Sequence, residues 1–282
     1  MILKKIFSLI LFLNILLGLD VLNFPQNSYN LSNWNGGGAL SNIYNQSNPA
    51  SLPFKDFISF SMINVPTDIT SQNIFITKSY ADYLFKFNST ILNYGDLEDF
   101  VTKNKFTAKD IQFGLSIKTT VQKIISIGIQ VNFLNRNIEN FTDKLLNSKI
   151  GIRTQLLEKR LGLGFVLNQI YKSNFDNNDG NLLFNFFYKP LYFPGEIALD
   201  FSKSEKLNVI LSMLVNVNNN IDLTIGMTDN KMDLHTGNTY ENIISGLSFG
   251  LHFKLKNYNF GFGLRNIGQF GTISGLNLGY NF

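Results

Sequence analysis

The sequence predicts an all-β fold: an antiparallel transmembrane β-barrel of fourteen strands, with twelve the other even count left open. Three observations carry that expectation. Along residues 258–282, Tyr258, Phe260, Phe262 and Leu264 alternate with Asn259, Gly261, Gly263 and Arg265, and Leu276, Leu278, Tyr280 and Phe282 alternate with Asn277, Gly279 and Asn281. Large apolar side chains on one face and small or polar ones on the other invert the pattern of a dry core, and suit a sheet with lipid outside and a polar lumen inside. Secondly, 44% of residues are apolar and only 16% charged, yet no apolar run reaches the roughly 20 residues of a spanning helix. Thirdly, the connections alternate between short and long, as they must when both termini lie on one side of a membrane.

The chain divides into residues 1–19, 20–55 and 56–282. Lys4 and Lys5 followed by the apolar run 6–17 form a secretory signal. Residues 23–51 are rich in Asn and contain Gly36-Gly37-Gly38, with no sustained period. Such a segment belongs inside the barrel, where irregular backbone shielded from lipid is tolerated at membrane depth, or across its periplasmic mouth, or it forms a disordered leader. Cysteine is absent, which removes disulfides and thiolate metal sites. The net charge of +4 includes Lys4 and Lys5, so no basic stripe for nucleic acid is expected.

Strands are expected at residues 56–65, 72–79, 82–92, 108–119, 124–135, 148–157, 161–170, 182–188, 195–202, 207–217, 221–228 and 243–255, followed by the two terminal ones. Alternation is clear where Ile111, Phe113, Leu115 and Ile117 interleave with Gln112, Gly114, Ser116 and Lys118. Long connections fall at 93–107, 136–147, 171–181 and 229–242; the links at 203–206 and 266–271 are short where the rule asks for long. The lumen-facing positions carry much Gly and Asn and few charges, which argues against a general porin.

Three local patterns stand out: Asn48-Pro49-Ala50, Tyr94-Gly95-Asp96, and Phe106-Thr107-Ala108-Lys109-Asp110. By themselves, the first makes a tight lead into the first strand, since Pro fixes φ and holds the preceding residue extended. The second makes a turn at the outer rim, with Tyr94 at headgroup level and Gly95 free to take positive φ. In this order, and with the Phe282 ending, the chain resembles the PorV/PorQ family of the type IX secretion system, itself similar to FadL-type outer-membrane barrels. Tyr94-Gly95-Asp96, the Phe106-Thr107-Ala108-x-Asp110 run and Ile138-Glu139-Asn140-Phe141 look more like the PorQ branch. The resemblance spans residues 35–282 and is dense only between 48 and 140. The final strand, with Leu278, Tyr280 and Phe282, also resembles the assembly signal that the barrel insertion machinery recognises.

Catalytic chemistry finds no foothold. Asp229, Asp233 and His235 share a loop but match no metal-binding spacing. His252 alternates inward with Lys254, opposite Arg265, as a proton-relay member or an ordinary lumen residue. No cofactor and no enzymatic activity are expected. The resemblance implies a bacterial outer-membrane component of protein secretion and surface attachment, a non-catalytic scaffold whose partners are outer-membrane lipid and other secretion proteins at the cell surface. The alternative is a FadL-like transporter of hydrophobic small molecules, with the N-terminal segment as its hatch. Leu97, Phe100 and Val101, apolar residues on an outer loop, either anchor a partner or fold back to cap the barrel.

Overall fold

The computed structural model describes residues 24–40, 45–66, 68–98, 105–139, 141–172, 175–203, 207–229, 244–268 and 271–282. The expected signal segment, 1–19, lies outside them. Fourteen antiparallel strands form one closed barrel: β1 (Phe57–Asn64), β2 (Thr70–Tyr80), β3 (Tyr83–Glu98), β4 (Lys105–Val121), β5 (Ile125–Ile138), β6 (Phe141–Leu156), β7 (Leu161–Lys172), β8 (Phe175–Tyr188), β9 (Gly195–Lys203), β10 (Leu207–Asn218), β11 (Ile221–Thr228), β12 (Leu247–Leu255), β13 (Tyr258–Asn266) and β14 (Thr272–Asn281). Each strand pairs with its sequence neighbours, and β1 closes on β14 from Phe57↔Asn281 to Asn64↔Ser274. Closure leaves no edge strand, so backbone polar groups are paired around the ring.

Period two decides which side chains face out. In β4 Phe113 and Leu115 are 47% and 65% exposed while Gln112, between Ile111 and Phe113, is 1% exposed. In β13 Tyr258, Phe260 and Phe262 point outward and Asn259, Gly261, Gly263 and Arg265 inward. The result is a continuous apolar outer belt. One end of the barrel carries tight turns and the C-terminus, and there six of the eleven tyrosines, Tyr80, Tyr83, Tyr188, Tyr192, Tyr258 and Tyr280, are exposed. Tyrosine gathered at one rim of an apolar belt suits a membrane interface, where the ring meets acyl chains and the hydroxyl meets water.

The opposite end differs from expectation. Much of the sequence between 93 and 107, 136 and 147, and 171 and 181 is paired strand rather than loop. β3 to β6 run 16, 17, 14 and 16 residues, against 8, 9 and 9 in β11, β12 and β13. Outward positions on these extensions, such as Asn93, Lys109 and Asn137, are polar, so the strands continue past the apolar belt without any alternation of hydropathy to reveal them.

Tyr94-Gly95-Asp96 is a bulge, not a rim turn. Between Asn93↔Lys109 and Asp96↔Thr107 the β3–β4 register gains one residue on β3, with Gly95 at φ 73°. An extra residue inverts the side-chain alternation beyond it. Tyr94 therefore stays inside, 4% exposed, and Leu97 also turns inward.

Candidate functional site: a lumen filled by the N-terminal segment

Residues 26–33, 36–40 and 45–52 of the N-terminal segment are almost wholly buried within the barrel. The segment begins with a short helix, α1 (Ser28–Ser32), capped by Asn27, whose side chain accepts a 2.8 Å hydrogen bond from the Asn30 amide. Any helix leaves its last carbonyls without intrahelical partners. Arg265 supplies them from the wall, donating to the carbonyls of Asn30 at 2.7 Å and Leu31 at 2.9 Å. Ser248 donates to the Ser32 carbonyl at 2.7 Å, and Ser32 and Ser28 meet Thr224 and Asn277. Room for this seat comes from absent side chains: a Cβ on Gly263 would stand 2.5 Å from the Ser28 carbonyl oxygen, and one on Gly226 2.7 Å from the Asn33 Cα.

Past α1 the wall continues to hold backbone. Asp200 accepts from the amides of Gly37 at 2.5 Å and Gly38 at 3.1 Å, and also from the Asn185 side chain. Arg153 donates to the Ala39 carbonyl, Lys118 to the Leu52 carbonyl, and Lys86 to Gln46 Oε1 at 2.8 Å. All four of these cations also lie over aromatic rings: Arg265 over Trp34 at 4.6 Å, Lys118 over Phe54 at 5.1 Å, Lys86 over Phe75 at 5.7 Å and Arg153 over Phe187 at 5.7 Å. A buried charge is tolerable only when hydrogen-bonded or paired, and the irregular backbone of the segment meets that need.

The lumen is thus more charged than the sequence suggested. Cations line β3, β4 and β6 (Lys86, Lys118, Arg153), and carboxylates line β9 and β11 (Asp200, Asp222). Neutral residues separate the charges along each strand, which hides them from any search for a charge run.

Asn48-Pro49-Ala50 does not lead into β1. It packs across the lumen on β5 and β6, where a Cβ on Gly128 would lie 2.5 Å from the Pro49 carbonyl carbon and one on Gly151 would strike Asn48. Asn48 accepts from the Ala50 amide at 2.9 Å and donates to the Ile152 carbonyl at 3.3 Å.

Two apolar layers bound this polar belt. At the tight-turn end Tyr29, Ala39 and Leu40 pack on Phe57, Phe75, Phe187 and Leu214; burial there pushes the Tyr29 phenol above its ordinary range, so it stays neutral. At the long-hairpin end Phe24 and Leu31 pack on inward-facing Ile63, Leu92, Leu134, Leu145 and Ile273, with Leu97, Ile138 and Ile267 against them. Leu97 therefore takes the second of its two expected placements, folding inward; Phe100 and Val101 lie outside the described residues.

Beside this upper layer Tyr94 donates to Asp110 at 3.0 Å, and Arg136 donates to both Asp110 oxygens, at 3.0 Å from Nε and 2.9 Å from Nη2. The motif residues Tyr94 and Asp110 are brought together with Arg136, which the sequence did not single out. Phe106 pairs with Leu97, and Ala108 is buried in the upper layer. Asp96 is exposed.

His252 lies 5.7 Å from the Tyr29 ring and 3.2 Å from the Thr224 hydroxyl. It faces Asp222 and Gly261 across the ladder, whereas Arg265 faces Ser248. Lys254 reaches Asp222 at 2.5 Å. Asp229 accepts from the Val209 amide, while Asp233 and His235 lie outside the described residues. Among the described residues no three metal-ligating side chains gather.

The sequence matches no protein-family signature and no curated protein. The fold is similar to solved structures of outer-membrane barrels. The CymD monoaromatic hydrocarbon channel aligns over 91% of this chain and 97% of its own at 9% identity, with a TM-score of 0.63. A deltaS2S3 mutant of the TodX monoaromatic hydrocarbon channel aligns over 91% of this chain and 99% of its own at 10% identity, with a TM-score of 0.60. The chain shares with both the architecture of a closed barrel, one whose interior is here occupied from its own N-terminus.

Proposed function

We propose that this protein is an outer-membrane channel for hydrophobic small molecules, closed by its N-terminal segment. The observation that carries the reading is the upper apolar layer: nine buried residues of the barrel, Leu92, Leu134, Leu145 and Ile273 among them, gather inside the lumen at the long-hairpin end around Phe24 and Leu31 of the plug. A passage for ions or sugars has no use for such a layer, and an apolar solute has. The fold shared with CymD and TodX supports the same direction. The outer belt and tyrosine rim support an outer-membrane location, with the tight turns facing the periplasm and the long hairpins facing outward.

The secretion-scaffold reading rests on sequence resemblance; of the three apolar residues it places at the rim, Leu97 is turned into the lumen, while Phe100 and Val101 lie outside the described residues. The test is uptake into vesicles whose outer leaflet is lipopolysaccharide. The protein should speed toluene entry, and Leu92→Asn with Leu134→Asn should remove the gain while unheated gels still show a folded barrel. Entry no faster than through protein-free vesicles would refute the channel.

For assembly, we retain Leu278, Tyr280 and Phe282 as the segment met by the insertion machinery; all three point outward. Deleting Phe282 should lower the outer-membrane level much more than Asn281→Ala, and equal levels would remove that role.

A further inference from the structure

A cavity of about 80 Å³ lies between the plug and β6–β8, lined by Phe24, Gln26, Asn30, Asn35, Gln46, Ser47, Lys149, Asn168, Asn181 and Leu183. Its chemistry differs from that of the apolar layer beside it. Four amide atoms of this lining are buried with no hydrogen-bond partner: Gln26 Oε1, Asn30 Oδ1 and Asn181 Oδ1, which accept, and Gln46 Nε2, which donates. Gln46 is held in this orientation because its Oε1 accepts from Lys86 at 2.8 Å. A buried polar atom left unpaired costs about 1–3 kcal/mol, so four on side chains that line one small space mark a place suited to a polar group.

We propose that this cavity is the binding site for the hydroxyl group of a small neutral alcohol or phenol, whose apolar body lies against Phe24 and Leu183. The proposal rests on the channel reading and narrows its substrate class. A hydroxyl both donates and accepts, so it answers Gln46 Nε2 and one of the carbonyl oxygens at once. A carboxylate only accepts, and it would face three carbonyl oxygens for the one amide donor, with Lys149 alone in its favour. An ammonium only donates and would sit beside Lys149, with Lys86 behind Gln46. One water needs roughly 10–15 Å³ of such space, so the cavity has room for a hydroxyl group. Phe24 joins the cavity to the upper apolar layer, since it belongs to both.

The experiment uses the full chain in detergent micelles and three probes of matched shape: benzyl alcohol, toluene and benzoate. Trp34, the single tryptophan, adjoins Asn35 of the lining, and its emission reports binding. Two hydrogen bonds to otherwise unpaired groups should make benzyl alcohol bind about tenfold or more tighter than toluene, with benzoate weakest. Gln26→Leu with Asn181→Leu, which leave Gln46 and Asn30 in place, should narrow the gap between the alcohol and toluene while unheated gels still show a folded barrel. Equal binding of alcohol and toluene by the unaltered protein, stronger binding of benzoate, or no binding of any probe would each overturn the proposal. If toluene still crosses lipopolysaccharide vesicles in those cases, only the hydroxyl site is lost. If toluene neither binds nor crosses, the channel reading falls with it.

Discussion

The plug meets two kinds of wall. On β11–β13 the inner face carries Gly226, Gly250, Gly261 and Gly263 where it meets α1, the helix backbone comes to contact distance, and Arg265 closes its C-terminal carbonyls. On β6–β8, toward the long-hairpin end, the inner face carries Lys149, Asn168 and Asn181, and a cavity remains. Inward alternation is common to both sides, so what differs is the volume of the inward residue. Where it is nothing but hydrogen, the plug is seated by shape; where it is an amide, the plug stands off and polar groups face a gap. A segment seated firmly on one side and loosely on the other has its weak side already chosen.

The largest effect should come from filling the firm seat. Gly226→Val with Gly263→Val places carbon against plug backbone, and overpacking costs about 1–3 kcal/mol at each site. The plugged state should lose roughly tenfold or more in population per site, read as a higher open fraction in planar bilayers with normal migration in unheated gels. Unchanged conductance would mean that the helix does not depend on that wall.

Next in size is Arg265→Ala, which removes two charge-assisted hydrogen bonds worth about 1.5–3 kcal/mol each before compensation. Trp34 loses its stacked cation, so its emission should shift together with a rise in conductance. Arg265→Lys keeps the charge but not the fork and should recover only part of the closure; full recovery would reduce the contact to simple charge. The smallest loss of closure belongs to the loose side: without ligand, Asn181→Ala should not open the channel, because its carbonyl oxygen has no partner to lose. A large opening there would erase the contrast between the walls.

The barrel itself was legible in the sequence because lipid and lumen impose opposite demands on successive residues. Every one of the fourteen expected strands corresponds to one in the structure. Strand ends were not, since Asn93, Lys109 and Asn137 face water on strands that go on pairing. The bulge at Gly95 was misread as a turn, because a glycine at positive φ serves either purpose and only the partner strand decides. Asn48-Pro49-Ala50 was seen as a motif, but its seat on Gly128 and Gly151 joins residues about a hundred positions apart. The wall charges were hidden for the same reason: Arg265 and Leu31 are 234 residues apart, Asp200 and Gly37 163. Nothing local in either partner announces the other.

That separation has a temporal side. The plug is the part of the barrel's contents that is synthesised first, yet α1 rests on β11, β12, β13 and β14, the last strands to emerge. Until they exist, the helix has neither the glycine floor nor Arg265, and a five-residue helix does not hold in water by itself. β14 must also find β1 to close the ring, so seating of the plug and closure of the wall draw on the same late strand. Contacts so distant in sequence are slow to form. The chain accordingly becomes a sealed vessel in its final step of assembly, and any pause before that step leaves an incomplete ring with its stopper adrift.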